Sequence, residues 1–427
     1  MSDDLTFSSG SSRKVRLREA ERQLNELWEI TGDEARSQGK DGVIRVRELN
    51  LIIYAAGENI AEHVSEVIPR LSQRHPARAI VLLELEDGDD GTQGESGTDE
   101  PPGLDAWVTA ACYISREGGR QICWEQVTVP ARGDETLLLR SASAGLMVPD
   151  LPTVLWWPGQ PDFEGQMLRR LGESSDLLIV DSAGFPEPVA GLTALARLAY
   201  DGSRNYGLSD LNWARLAAWR DMTAEFFDDP GRLDWLPRIG RVDIAYGSED
   251  PYSRSDCVAG PAAARALLFA GWLAGRLGWS PEPSGWEERD GDACMRLRRR
   301  TSGVQTEKTG AEPGIELHLH CSLESCGPMA GLSSVTLEVA PDPAVEGSPA
   351  AVLSLAISPG GCVGSGRVRQ GDAETLLRTY DLTTLPEDRL LADEIDFLSP
   401  DAVYEEALLT AANLATLPGA GLLRRGS

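Results

Sequence analysis

From Leu17 to Ile30 the apolar residues Leu17, Ala20, Leu24, Leu27 and Trp28 fall at helical spacing, and Gly32 to Gly42 interrupts the pattern. Residues 1–16, polar and basic, read as a disordered tail. The run Val43–Tyr54 is rich in aliphatic and β-branched residues and predicts a strand. A helix follows with Ile60, Val64, Val67, Ile68 and Leu71 on one face, closed by His75-Pro76. Ala79–Leu85 then reads as a buried strand, which makes a βαβ unit. Strands are expected at Ala106–Ile114, Ile122–Val129, Thr153–Trp157 and Leu177–Asp181. Helices are expected over Thr136–Met147, Phe163–Leu171 and Val189–Ala199. This alternation predicts a mixed or parallel sheet with helices on its faces.

Asp201 to Gly207 reads as a linker, and an amphipathic helix from Asp210 to Phe227 follows it. Beyond it the pattern predicts a strand at Val242–Ala245 and a long helix at Pro261–Leu277. Further strands are expected at Met295–Arg299, Ile315–His320, Val335–Val339 and Val352–Ile357. Helices at Glu387–Phe397 and Ala402–Leu414 close the chain. The expected fold is therefore α/β in the first half and α+β in the second. Residues 1–42 form a tail and helix, 43–205 an α/β domain with a mixed sheet, and 206–427 an α+β domain rich in antiparallel strands.

Composition narrows the function. The 427 residues carry 67 acids against 40 bases, a formal charge of −27. Such a field repels phosphate backbones and anionic lipid, so neither nucleic acid nor a membrane surface is an expected partner. No signal peptide is visible, and the most apolar long stretch, Pro261 to Trp279, is interrupted by Arg265 and Arg276. Seven scattered cysteines fit a reducing cytoplasm without a disulfide framework. Residues Asp87 to Gly103 form an acidic, Gly-rich surface insertion.

No phosphate-binding glycine motif and no nucleophile elbow occurs, so neither a cofactor nor a catalytic constellation is expected. Gly360, Gly361, Gly364 and Gly366 read as turn glycines. Asp181-Ser182 stands at the carboxyl end of a predicted strand, where α/β enzymes keep functional groups, although both residues also suit a helix cap. His318 and His320 share a strand face without a third ligand at metal-site spacing, so no metal is expected. Cys321 and Cys326 lie five apart across a turn, close enough for a local redox pair; the other five cysteines read as small hydrophobes. Trp156 and Trp157, next to Pro158, fall on opposite faces of a strand, so one can enter the core while the other meets a surface or partner. Trp213 and Arg220 share a helix face, with Arg215 and Trp219 near it, and such Trp–Arg groups are good interface anchors or junction packing.

The segments DLPTVLWWPGQP (Asp150 to Pro161), LLIVDSAGF (Leu177 to Phe185) and DLNWARLAAWRDMTAEFFD (Asp210 to Asp228), in that order, resemble the OpcA family. RHPAR (Arg74 to Arg78), CWEQV (Cys123 to Val127) and AVYEEALLTAANL (Ala402 to Leu414) agree with it. The resemblance implies a non-enzymatic role. Members bind glucose-6-phosphate dehydrogenase, favour its active oligomer and regulate entry into the oxidative pentose phosphate pathway and NADPH supply. In photosynthetic members this responds to thiol redox state. Partner contacts are then expected at Trp156, Trp157, Pro158, Trp213, Arg215, Trp219 and Arg220, and redox chemistry at Cys321 and Cys326. The rival reading is an α/β enzyme acting on a sugar phosphate through Asp181 or Ser182.

Overall fold

The computed structural model describes residues 11–37, 45–86, 104–114, 121–247, 261–289, 292–299, 314–322, 331–358, 363–382 and 385–418. The acidic insertion 87–103, Cys326, Gly360 and Gly361 lie outside the described residues. The chain forms two compact units that interleave in sequence: residues 1–180, 204–209 and 386–400 make the first, and 181–203, 210–385 and 401–427 the second.

The first unit is built on an eight-stranded sheet. Its strands are β1 (Ser11–Arg16), β2 (Leu49–Ala56), β3 (Ala77–Leu85), β4 (Asp105–Ile114), β5 (Gln121–Arg132), β6 (Thr153–Trp157), β7 (Leu177–Val180) and β8 (Gly207–Asp210), in the order β1-β4-β5-β3-β2-β6-β7-β8. The stretch from β5 to β7 is parallel, whereas β4 runs antiparallel to β5. Every residue of β6 and β7, and all but the last of β2, is buried, as strands covered on both faces must be. The helix α1 (Ala20–Ser37) precedes β2, and α2 (Glu58–Leu71) connects β2 to β3 through the buried face Val64, Val67, Ile68 and Leu71. The helices α3 (Leu139–Leu146) and α4 (Gln166–Gly172) lie before and after β6.

Two expectations change here. Ser11–Arg16 is an edge strand paired with β4 rather than a tail; its charged residues Arg13, Lys14 and Arg16 suit an edge that must stay soluble. The expected helix over 136–147 opens as a 3₁₀ turn (Gly133–Leu138).

The second unit carries a second sheet of eight strands: β9 (Ile239–Gly247), β10 (Trp279–Arg289), β11 (Asp292–Arg299), β12 (Ile315–Ser322), β13 (Gly331–Val339), β14 (Ala351–Ile357), β15 (Val363–Gln370) and β16 (Ala373–Asp381). Their order is β10-β11-β12-β9-β13-β14-β15-β16, antiparallel throughout except between β9 and β12. The strand β10 escaped sequence reading because two prolines and a register shift between Pro281 and Trp286 break its alternation. The strand β16 escaped it because nearly every residue is exposed.

The expected single helix 210–227 divides into α6 (Leu211–Ala214) and α7 (Ala217–Glu225). A tightened bond from Leu216 N–H to Trp213 C=O, 3.0 Å, marks the break. The helices α5 (Pro188–Tyr200), α8 (Pro230–Leu233) and α9 (Pro261–Arg276) also belong to this unit. The helix α10 (Glu387–Phe397) belongs to the first unit and α11 (Ala402–Thr416) to the second. No helix among the described residues is long and apolar enough to cross a membrane.

Candidate functional site

In the second unit, residues singled out in the sequence converge on one polar cluster. Asp181 follows directly on β7 and caps a 3₁₀ turn, its carboxylate accepting from Ala183 N–H at 3.1 Å. Both oxygens of the same carboxylate are held by Arg215, Nη1 and Nη2 each at 2.8 Å, the bidentate geometry that a planar guanidinium favours. Ser182 is wholly buried. Its backbone N–H donates to Asp210 Oδ1 at 2.9 Å, and its hydroxyl oxygen accepts from Asn212 Nδ2 at 3.0 Å.

Asp210 occupies the centre. It caps α6 through Asn212 N–H at 2.9 Å and accepts from Tyr404 Oη at 3.3 Å. Complete burial pushes its carboxyl up to about 6, the nearby Asp181 adds to the rise, and hydrogen bonds from Ser182 and Asn212 oppose it. Behind it, Asn212 Oδ1 accepts from Arg265 Nε at 2.8 Å.

The tryptophans complete the cluster. Trp213 is buried, donates Nε1–H to Asp401 Oδ2 at 2.9 Å and packs its ring 5.6 Å from that of Tyr404. Asp401 in turn caps α11. Arg220 lies over the Trp213 ring, 3.5 Å from its centroid, and donates to the Trp213 carbonyl at 2.7 Å. Trp219 is buried as well, while Arg215 and Arg220 are half-buried.

Trp156, Trp157 and Pro158 belong to the first unit. The expectation that one tryptophan of the pair meets a surface is corrected, since Trp156 is 0 % and Trp157 4 % exposed. The strand β6 is internal to the parallel sheet, so both of its faces are covered. Trp157 stacks on Tyr54, ring centroids 4.1 Å apart and planes 21° from parallel. Pro158 is half-buried.

A second polar cluster sits in the first unit. Glu125, 1 % exposed, accepts from Arg78 Nε at 2.6 Å, Arg45 Nη2 at 2.7 Å and Trp28 Nε1 at 2.7 Å, and Arg47 Nε lies 2.6 Å away. Arg78 also reaches Glu21 at 2.8 Å and the Leu146 carbonyl at 2.9 Å. Pattern reading missed this cluster, because its members lie on separate strands and flanking segments with no shared spacing.

Cys294 is not merely a small hydrophobe: it stands opposite His318 across the β11–β12 register, with its Sγ 3.0 Å from Nδ1. Burial raises its thiol pKa, so this pair is poised as a hydrogen bond rather than a thiolate. His320 is exposed and pairs with Asp292. Among the described residues no group of three metal-ligating side chains occurs. Cys321 is disulfide-bonded.

Residues 69–197 match the family model described as the glucose-6-phosphate dehydrogenase subunit N-terminal domain, and residues 206–408 the corresponding C-terminal domain. A Nostoc punctiforme protein named as an OxPP cycle protein OpcA is 28 % identical over 379 residues, covering 84 % of this chain and 70 % of the relative. A Synechocystis protein of the same name is 26 % identical over 370 residues, covering 84 % and 67 %. A Synechococcus elongatus protein, also so named, is 31 % identical over 212 residues, covering 49 % and 42 %. With both family models matched in order along most of its length, the chain belongs to the OpcA family of glucose-6-phosphate dehydrogenase assembly proteins.

Proposed function

We propose that this protein is a non-catalytic partner of glucose-6-phosphate dehydrogenase that acts in the cytoplasm, favours the active oligomer and raises flux into the oxidative pentose phosphate pathway and its NADPH output. The observation that carries the reading is the pair of matched domains, each described as part of a glucose-6-phosphate dehydrogenase subunit. The geometry supports it from the other side. Asp181 and Ser182, which an enzyme would need free, are committed to a cap, a bidentate ion pair and buried hydrogen bonds.

An activator acts only through differential affinity for the active state, and a tenfold shift needs about 1.4 kcal/mol of preference. A single desolvated arginine anchor can supply that much. Arg215 and Arg220, half-buried and held by Asp181 and Trp213, are such anchors on this reading, with Trp219 supporting them from below. Trp156, Trp157 and Pro158 act from within their own sheet by shaping the segment around them. Thiol control is the finer part of the proposal, supported by the disulfide at Cys321; Cys326, five positions along the chain, is its redox partner on this reading.

The test is dehydrogenase activity against substrate concentration, with the enzyme from the same organism, with and without this protein. A lower apparent KM or higher kcat together with co-migration on size exclusion supports the proposal. Unchanged kinetics without co-migration refutes it. Arg220→Ala is expected to weaken co-migration at least tenfold while the chain stays folded, and Cys321→Ser to remove the oxidant sensitivity of activation.

A further inference from the structure

The first unit holds a cavity that the dehydrogenase-partner reading does not use. In its parallel sheet the chain runs from β2 outward to β3, then returns to the other side of β2 to lay down β6 and β7. The direction of winding therefore reverses between β2 and β6. In open α/β sheets the crevice beyond the carboxyl ends of the strands at such a reversal is where ligands bind, because the two connections leave on opposite faces and part there. Here that place is occupied by a cavity of about 590 Å³, within the range typical of small-molecule sites. It is lined by the ends of β2, β3 and β6 (Tyr54, Glu84, Trp157) and by the segments carrying Arg140, Asp162 and Arg170.

The lining specifies the ligand. Arg140 and Arg170 have no hydrogen-bonding or ionic side-chain partner among the described residues, although acids outnumber bases by 67 to 40 in this chain. Two guanidiniums on one cavity, neither in an ion pair among the described residues, suit an anion, and the planar fork suits phosphate. The remainder of the wall is mixed: Leu137, Met167 and Leu168 are apolar, while Glu84, already accepting from Tyr54 Oη, Asp162 and the carboxamides of Gln160 and Gln166 can hydrogen-bond. Carboxylates and carboxamides around a cavity match hydroxyl groups. A nucleobase is the poorer fit, since the aromatic faces of Tyr54 and Trp157 are spent on one another and both residues are buried.

We propose that this cavity binds a phosphorylated sugar, its phosphate on Arg140 and Arg170 and its hydroxyls towards Glu84 and Gln166. The inference is independent of the dehydrogenase reading, because it concerns the chain alone.

Isothermal titration of the full chain, without dehydrogenase, tests it with glucose 6-phosphate as probe and with glucose, inorganic phosphate and AMP as comparisons. The expected result is saturable binding of glucose 6-phosphate, at least tenfold tighter than the three comparisons. Arg140→Ala and Arg170→Ala are each expected to weaken it at least tenfold; neither side chain has a partner among the described residues, so the variants keep the wild-type unfolding midpoint. Arg276→Ala, an exposed position in the second unit, leaves the binding unchanged. No saturable binding at millimolar probe, equal affinity for inorganic phosphate or AMP, or full affinity in both arginine variants overturns the proposal.

Discussion

Asp210→Asn isolates the energetic consequence of placing a carboxylate at the centre of the second unit's polar cluster. The side chain is wholly buried and its carboxyl is pushed up to about 6, against about 3.8 for an ordinary aspartate. At about 1.4 kcal/mol per pH unit, that difference amounts to about 3 kcal/mol. Because the folded-state value is the higher one, the folded chain holds the proton more tightly than the unfolded chain does. Folding therefore loses stability as the pH rises from about 3.8 to about 6, and the full cost of the buried charge is present above that. Asparagine removes the charge and keeps the shape. Its carbonyl oxygen still accepts from Ser182 and Asn212 N–H, and its amide can donate to Tyr404 Oη. Urea unfolding of both proteins at several pH values from 3.5 to 7.5, followed by tryptophan fluorescence, gives the difference with all other titrations cancelled. The variant is expected to gain on the wild type by about 3 kcal/mol across that interval. A difference independent of pH, or one that shrinks as the pH rises, would refute the claim that burial dominates this site.

Two further substitutions probe the packing. Glu125→Ala strips the shared acceptor from Arg78, Arg45 and Arg47 and is expected to cost about 3–5 kcal/mol in urea unfolding, the range for an orphaned buried charge. Burial alone would raise the Glu125 carboxyl, but Arg78, then Arg45 and Arg47, outweigh it and hold the value below the ordinary carboxylate range. The wild-type contribution is thus complete above that range and is lost as the pH falls through the lowered value. Gly271→Ala would gain about 1 kcal/mol from helix propensity alone. A Cβ there meets the Ala407 carbonyl and lies 2.7 Å from Ala411 N, so overpacking is expected to win by about 1–3 kcal/mol and lower the thermal midpoint.

Much of the fold was legible because burial imposes period and length. The strands β2, β3, β6 and β7 read as apolar runs, α10 was placed at its observed bounds and α11 within two residues at its end. What escaped was the exposed β16, the proline-broken β10, β1, whose pairing is settled by an edge far along the chain, and β15, whose Gly364 and Gly366 read as turn glycines but lie within the strand. The candidate cluster was legible only in pieces. Asp181, Ser182, Trp213, Arg215 and Arg220 each stood out by type, but nothing in their spacing says that Arg215 closes on Asp181 from 34 positions away. The burial of Trp157 was misread because period-2 alternation was taken to imply one exposed face, which an internal parallel strand does not have.

Five of the six segments that carry the family resemblance contribute to the two polar clusters; DLPTVLWWPGQP instead packs its tryptophans in the core of the first unit. Arg78 of RHPAR meets Glu125 of CWEQV. Asp181 of LLIVDSAGF meets Arg215 of DLNWARL, and Asp210 of that segment meets Tyr404 of AVYEEALL. Those short words therefore encode pairings between distant parts of each unit, and each pairing has an exacting geometry that a hydrophobic contact would not impose. On the proposed reading this is what an activator needs. Preference for one state of a partner must survive the entropy of ordering the binding surface, and a guanidinium already fixed by a bidentate carboxylate or an indole face has little rotamer freedom left to lose. On that reading, the rigid support of Arg215 and Arg220 by Asp181 and Trp213 converts more of each contact into preference between the partner's states than a mobile arginine could.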